Sequence, residues 1–219
     1  MNDTKYYLDV LTADIHSVIC ATVDAEGRPV TRAMDIMLSD DQTFYFLTAK
    51  GKAFYQQLTE KPYISLTGMS GGEGMDRTEA SLHKKAVTVR GKVRCIGSAK
   101  LDEIFEANPY MAKIYPTVAS REALVVFTLE SGEGEFFDLS TKPITRASFA
   151  VGDVADGAKI EPAMPYTISD ACVGCGRCLG VCPQDCIDHT SVPYQIDQRH
   201  CLHCGNCFTD CPHDAVIRH

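Results

Sequence analysis

Residues 172–183 read CVGCGRCLGVCP and residues 201–212 read CLHCGNCFTDCP, so one pattern, C-x2-C-x2-C-x3-C-P, is written twice within the last fifty residues. The short gaps let a tight loop turn three thiolates inward. Gly174, Gly176 and Gly205, lying among them, let the backbone come close to whatever the sulfurs hold. Pro183 and Pro212 direct the chain away after the fourth cysteine and bring no amide hydrogen. Zinc sites also use C-x2-C pairs. They need neither the third C-x2 step nor the trailing C-P, and both occur here twice, so iron–sulfur chemistry is the reading.

On these residues, Ala171 to Pro212 resembles a two-cluster bacterial ferredoxin domain. The resemblance implies two [4Fe-4S] clusters, each run giving three thiolates to its own cluster and a fourth to the other. Cys172, Cys175, Cys178 and Cys211 would hold one cluster, and Cys201, Cys204, Cys207 and Cys182 the second. The repeat extends outward: Tyr166-Thr167-Ile168 is matched by Tyr194-Gln195-Ile196, and Ile187 by Val216. Two halves are expected, each a strand pair with a short helix, related by approximate two-fold symmetry. Cys186, four residues past Cys182, has no place in the spacing.

At 219 residues the chain exceeds such a module several-fold, so a larger domain precedes it. The expected division is a first domain over 1–145, a linker over 146–164 with its boundary near Lys159, and the cysteine domain over 165–219. Eight of the eleven cysteines are in cluster spacing, and the N-terminal residues show no signal peptide, which points to reduced thiols and a cytoplasmic protein. Cys20 and Cys95 read as small core residues. No apolar run is long enough to span a bilayer, and a formal charge of -8 excludes a general nucleic-acid binder.

Residues 4–13 read as a short helix and 17–23 (SVICATV) as a strand closed by a turn at 24–27. Strands over 29–38 and 43–48 follow at once, predicting a three-stranded meander. Residues 50–58 have helical spacing, 63–67 resume the sheet, and the glycine-rich stretch 68–85 reads as a mobile loop. Residues 86–96 alternate as a long strand, Ser98 caps a helix to Ala107, and a second short helix runs to Tyr115. Residues 124–130 and 135–139 read as a hairpin around Ser131-Gly132-Glu133-Gly134. The fold class is α+β, mainly β: a small antiparallel barrel followed by the cysteine domain.

The order GRPVTRAM (27–34), YFLTAKGK (45–52), YQQL (55–58), VRGK (89–92) and Asn108-Pro109 resembles the FMN-binding split-barrel family of pyridoxamine 5'-phosphate oxidase-like proteins. The resemblance covers about Asp14 to Ser140. It implies a homodimer with FMN in a groove at the interface. Arg32 and Lys52 would approach the phosphate or ribityl chain, and the segments Ala33, Met34, Asp35 and Leu47, Thr48 the isoalloxazine edge. Lys50, Tyr55 and Gln56 are further carry-overs. Lys52 at a helix start suits an anion, because free amides and the helix dipole already attract one. The family also has members that bind haem or a deazaflavin; for haem, candidate axial ligands are His16, His83, His200, His203, His213 and His219.

A two-cluster module only carries electrons, and a flavin is the usual link to two-electron organic chemistry. The sequence therefore predicts an FMN and iron–sulfur oxidoreductase acting on a small organic molecule, with a redox partner protein as a further candidate for electron exchange. A non-catalytic electron carrier is the alternative. Neither a pyridoxal-phosphate pocket nor a catalytic acid–base pair is legible.

Overall fold

The computed structural model describes residues 3–153 and 164–219, and the chain divides into two compact units: Met1–Ser70, Ala86–Glu135 and Phe149–Ile160 in the first, Gly71–Lys85, Phe136–Ser148 and Glu161–His219 in the second. The boundary expected near Lys159 lies outside the described residues.

In chain order, α1 (Asp3–Asp9) continues into a π-helical turn over Val10–Ile15, in place of the single helix expected over 4–13. Strands β1 (Ser17–Val23) and β2 (Pro29–Asp35) form an antiparallel hairpin in which Ser17 faces Asp35 and Val23 faces Pro29. Then follow β3 (Leu38–Ser39), β4 (Phe44–Ala49), α2 (Ala53–Glu60), β5 (Tyr63–Ser70), α3 (Arg77–Leu82) and β6 (Lys85–Gly97). Three short helices, α4 (Leu101–Ala107), α5 (Met111–Ile114) and α6 (Val118–Arg121), lead to β7 (Leu124–Asp138) and β8 (Thr145–Gly152). The strands make one curled sheet in the order β2-β1-β5-β6-β7-β4-β3, with β8 on β7.

Several expectations are corrected. The meander does not form: buried Ile36 and Met37 leave the hairpin, their amides donating to His16 and Tyr45 carbonyls at 2.8 Å each, and β4 pairs with β3 and β7 instead. The stretch 68–85 is not all loop, because the Asp76 carboxylate accepts the Thr78 and Glu79 amides and starts α3. Lys100, at φ 62°, precedes α4 in place of Ser98, which supplies only its carbonyl, to the Leu101 amide.

No hairpin turn occurs at 131–134, where β7 runs straight through. The glycines there serve close approach: a Cβ on Gly91 would lie 2.3 Å from the Ser131 carbonyl oxygen, and one on Gly132 2.4 Å from that of Arg90. Finally, the segment 146–164, expected as a linker, begins within β8, whose Phe149 and Val151 are buried in alternation.

Strand β4 is buried on both faces. One face carries Tyr45, Leu47 and Ala49 into a core with Met37, Ile104, Phe105, Met111, Leu124 and Val126. Phe44 and Phe46 take the opposite face, where Phe46 stacks on Phe54 of α2 at 6.0 Å and on Phe127 of β7 at 5.7 Å. This burial holds α2 against the sheet and fixes its N-terminus; each aromatic pair adds about 0.5–1.5 kcal/mol beyond area burial.

In the second unit, β9 (Tyr166–Ile168), α7 (Arg177–Gly180) and β10 (Ile187–Asp188) form one half, and β11 (Gln195–Ile196), α8 (Asn206–Asp210) and β12 (Val216–Arg218) the other. The halves interlace: β9 pairs with β12 and β10 with β11, so each strand pair takes one strand from each half. The expectation of one strand pair per half is corrected accordingly. Gly176 and Gly205, at φ 78° and 79°, start α7 and α8 from the left-handed region in both halves. Arg177 of α7 pairs with Asp210 of α8 at 2.9 Å.

Candidate functional site

Two arrangements in the structure bear on chemistry, one in each unit. In the second unit, the cysteines gather into two cavities with mostly apolar walls. Cys172, Cys175, Cys178 and Cys211 line the first, with Ile168, Val173, Tyr194 and Val216 around them. Cys182, Cys201, Cys204 and Cys207 line the second, with Ile187, Ile196, Leu202 and Tyr166. Each cavity thus holds three cysteines of one run and the fourth of the other.

The donor set fits a cluster better than a lone metal ion. A tetrahedral zinc ion requires its four ligands to converge on one point, and among the described residues no three His, Cys, Asp or Glu side chains do so. Four soft sulfurs spread around an apolar-walled space are what a cubane needs. Backbone amides already point at two of the sulfurs: Ala215 N–H at Cys211 (3.3 Å) and His203 N–H at Cys201 (3.4 Å). Burial raises the Cys211 thiol, but the amides of His213, Ala215 and Val216 outweigh it and hold the group below its ordinary value. A fifth cysteine, Cys186, also lines the second cavity, its Sγ 3.5 Å from that of Cys182.

In the first unit the arrangement centres on Arg32. Side chains directly opposite one another on β1 and β2 share a face, so Arg32, opposite buried Cys20, and Met34, opposite buried Val18, face inward. The Arg32 guanidinium lies 4.1 Å over the Phe54 ring and donates through Nη2 to Gln57 Oε1 at 2.7 Å. Thr22 donates to the same oxygen at 2.6 Å. Arg32 Nη1 is buried with no partner. Beside it, α2 starts at Lys52 with no side-chain cap and no acid in its first turn. A charged donor without an acceptor and an uncapped helix start fit a phosphate, so these residues suit the FMN end expected here. The buried Thr48 hydroxyl, on the Phe46 face of β4, is likewise unpartnered.

The remaining carry-overs do not gather at this point. Leu47 packs into the core on the opposite face of β4, because consecutive strand residues point opposite ways. Tyr55 meets Phe127 edge-on at 6.2 Å, Gln56 donates to Glu60 on the exposed side of α2, and Lys50 Nζ donates to the Glu122 carbonyl. Ala33 and Asp35 face outward beside Ile19 and Ser17. Asp35 accepts hydrogen bonds from Ser17 (2.6 Å) and Tyr110 (2.8 Å), with His16 Nε2 at 3.5 Å. Burial raises its carboxyl, but these partners outweigh it and the value is lowered; the same bond and burial push Tyr110 up to about 12.

Sequence reasoning missed Phe54, Gln57 and Thr22. Phe54 and Gln57 are three apart on α2 and so share a face, which is the signal that would have paired Gln57, rather than Gln56, with Arg32. The histidines do not converge: His83 bonds the Glu79 carbonyl, His200 that of Ile144, and His219 the Thr167 hydroxyl.

A curled antiparallel sheet with α2 packed against it, followed in the chain by a repeated cysteine module, has the architecture of the split-barrel class. Residues 8–136 match the model of the pyridoxamine 5'-phosphate oxidase family, more than half the chain, and residues 169–215 match that of a 4Fe-4S dicluster domain. The chain belongs to the pyridoxamine 5'-phosphate oxidase family and carries a 4Fe-4S dicluster domain later in its sequence.

Among similar proteins are the pyridoxine/pyridoxamine 5'-phosphate oxidases of Bacteroides thetaiotaomicron (28% identical over 107 residues, 49% of this chain and 46% of that one) and Pseudomonas putida (27% over 118 residues, 51% and 50%). The chain spans about half the length of these curated relatives. A NimC/NimA family protein from Clostridium acetobutylicum has a similar fold, with TM-score 0.52 and 17% identity over 68% of this chain and 94% of that one. No described helix is long and apolar enough to cross a membrane.

Proposed function

We propose that this chain is an FMN- and iron–sulfur-dependent oxidoreductase that works as a homodimer in a reducing, cytoplasmic compartment on a small organic substrate. The observation that carries the reading is the sharing of cysteines between the two cavities, each with three from one run and one from the other. When bound, the clusters supply single electrons and the flavin couples them to two-electron chemistry.

The chain's own residues have definite tasks. Cys172, Cys175, Cys178 and Cys211 hold one [4Fe-4S] cluster; Cys201, Cys204, Cys207 and Cys182 hold the other. Arg32, kept in place by Phe54 and Gln57, gives its free Nη1 to the FMN phosphate together with the start of α2 at Lys52. Met34 and Thr48 lie on the inward faces of their strands and bound the flavin side. Exposed Ile19, Tyr63 and Met69 on β1 and β5 leave an apolar strip on the sheet's outer face, which a second copy would cover. The proposed division is 1–145 for the flavin and 165–219 for the clusters, with β8 (Thr145–Gly152) at the start of 146–164 adding to the sheet.

Iron, sulfide and flavin assays on anaerobically purified protein test this directly. About eight irons per chain with FMN are expected. Zinc in place of iron would overturn the cluster reading, and iron without any flavin would overturn the barrel reading. Turnover of small conjugated substrates by the reduced protein separates an enzyme from a carrier that is reduced only by partner proteins.

A further inference from the structure

Among the differences between the two halves of the internal repeat, one places a thiol against a methyl group at a cluster site. Cys182-Pro183-Gln184-Asp185-Cys186-Ile187 and Cys211-Pro212-His213-Asp214-Ala215-Val216 occupy equivalent places in the two halves. Their backbones agree in detail: Asp185 and Asp214 stand at φ 50° and 49°, and each segment then enters a strand, β10 or β12. Cys186 and Ala215 are both buried, and each lines the cavity of its own half's fourth cysteine. One site is therefore walled by a methyl group where the other has a thiol. That thiol sits 3.5 Å from the sulfur of Cys182, within hydrogen-bond reach for sulfur.

We propose that Cys186 is not a ligand but an S–H donor to the Cys182 sulfur, and that it makes the cluster held by Cys201, Cys204, Cys207 and Cys182 easier to reduce. This rests on the ligand assignment proposed above. Two observations favour a donor over a ligand. The second cavity already has four cysteines at the repeat positions equivalent to the four that line the first. The place Cys186 fills is also the one a methyl group fills in the other half, where it cannot ligate. The direction follows from charge. Reduction adds negative charge that spreads onto the ligand sulfurs, so a donor aimed at one of them stabilises the reduced cluster more than the oxidised one. An amide does the same for Cys211 in the first site, from Ala215 at 3.3 Å. Cys186 acts from its side chain and can be removed by substitution without touching the backbone.

The test is a redox titration of the full-length holoprotein, followed by electron paramagnetic resonance, with iron content measured on each sample. Cys186→Ala copies the residue of the other half, and Cys186→Ser keeps a donor. In Cys186→Ala, one cluster should become about tenfold harder to reduce at a fixed poise, about 59 mV for a one-electron step, while the other does not move. Cys186→Ser should shift less, in the same direction. Full iron content with both potentials unmoved in Cys186→Ala would overturn the proposal. Loss of about half the iron in Cys186→Ala would also overturn it, by showing that Cys186 is a ligand. A wild-type protein without iron–sulfur signals would instead remove the ligand assignment itself, and this proposal with it.

Discussion

Replacing Arg32 by methionine tests the flavin end of the structure most directly. The guanidinium is held from two sides, by the Phe54 ring at 4.1 Å and by Gln57 Oε1 at 2.7 Å, which leaves Nη1 as the group free to meet an anion. A hydrogen bond to a charged group is worth about 1.5–3 kcal/mol. Its loss should weaken FMN binding about 12- to 140-fold, since each 1.4 kcal/mol is a factor of ten. The fold itself should suffer little. Methionine still covers Phe54, and Thr22 still donates to Gln57 at 2.6 Å, so a stability loss of about 1 kcal/mol is expected. The assay is quenching of flavin fluorescence on titration into apoprotein, run in parallel with FMN and with riboflavin, which lacks the phosphate. Riboflavin affinity should change by no more than about threefold. An equal loss for both ligands would mean that Arg32 supports the barrel rather than the phosphate, and no loss for either would refute the site.

Three further outcomes are expected. Asn108, buried, donates through Nδ2 to the carbonyls of Met37 (2.9 Å) and Ile104 (3.0 Å), so Asn108→Ala should cost about 1–3 kcal/mol in urea denaturation by stranding the Met37 carbonyl; an unshifted midpoint would contradict this. Gly91→Ala would drive a Cβ to 2.3 Å from the Ser131 oxygen and should destabilise by about 2 kcal/mol or more, whereas Gly51→Ala, with no atom within 4 Å, should stay within about 0.5 kcal/mol. Similar thermal shifts for the two would show that β6 and β7 do not approach as described. Asp35 is depressed in the folded state, so the stability it adds is present above the ordinary aspartate value of about 3.9 and disappears as pH falls through the folded value. The melting-temperature gap between wild type and Asp35→Asn should therefore close on acidification below about pH 4, and a gap constant from pH 7 to 3 would rule out this linkage.

Legibility in the sequence followed the range of the interaction. The cysteine runs could be read because their spacing is local, and even the exchange of the fourth cysteine came with the ferredoxin resemblance; the cavities group the same eight residues. Strand β6 showed itself by alternation, since it has one covered and one open face along most of its length. Strand β4 is covered on both faces, which hides the alternation. The family resemblance had set Leu47 and Thr48 at one surface as a segment, and as neighbours on a strand they lie on two. Long-range pairing left no local mark either: nothing in residues 36–48 announces that β4 runs beside β7. Glycine carried the largest ambiguity. Gly132 was taken for a turn residue, yet it lies within a strand where two backbones nearly touch.

The interlaced strands of the cysteine module constrain the timing of its assembly. Strand β9 pairs with Val216–Arg218, and the cavity of Cys172, Cys175 and Cys178 takes its fourth ligand-run cysteine from Cys211. During synthesis the first three thiols therefore leave the ribosome well before their fourth wall exists. On the proposed ligation, the first inorganic core cannot be sealed in until Cys211 has been made, whereas Cys207 already completes the ligands of the second. Insertion of iron and sulfide is then a late event in biogenesis, and the waiting thiols are the stage at which the nascent chain is most open to oxidation or to capture of the wrong metal.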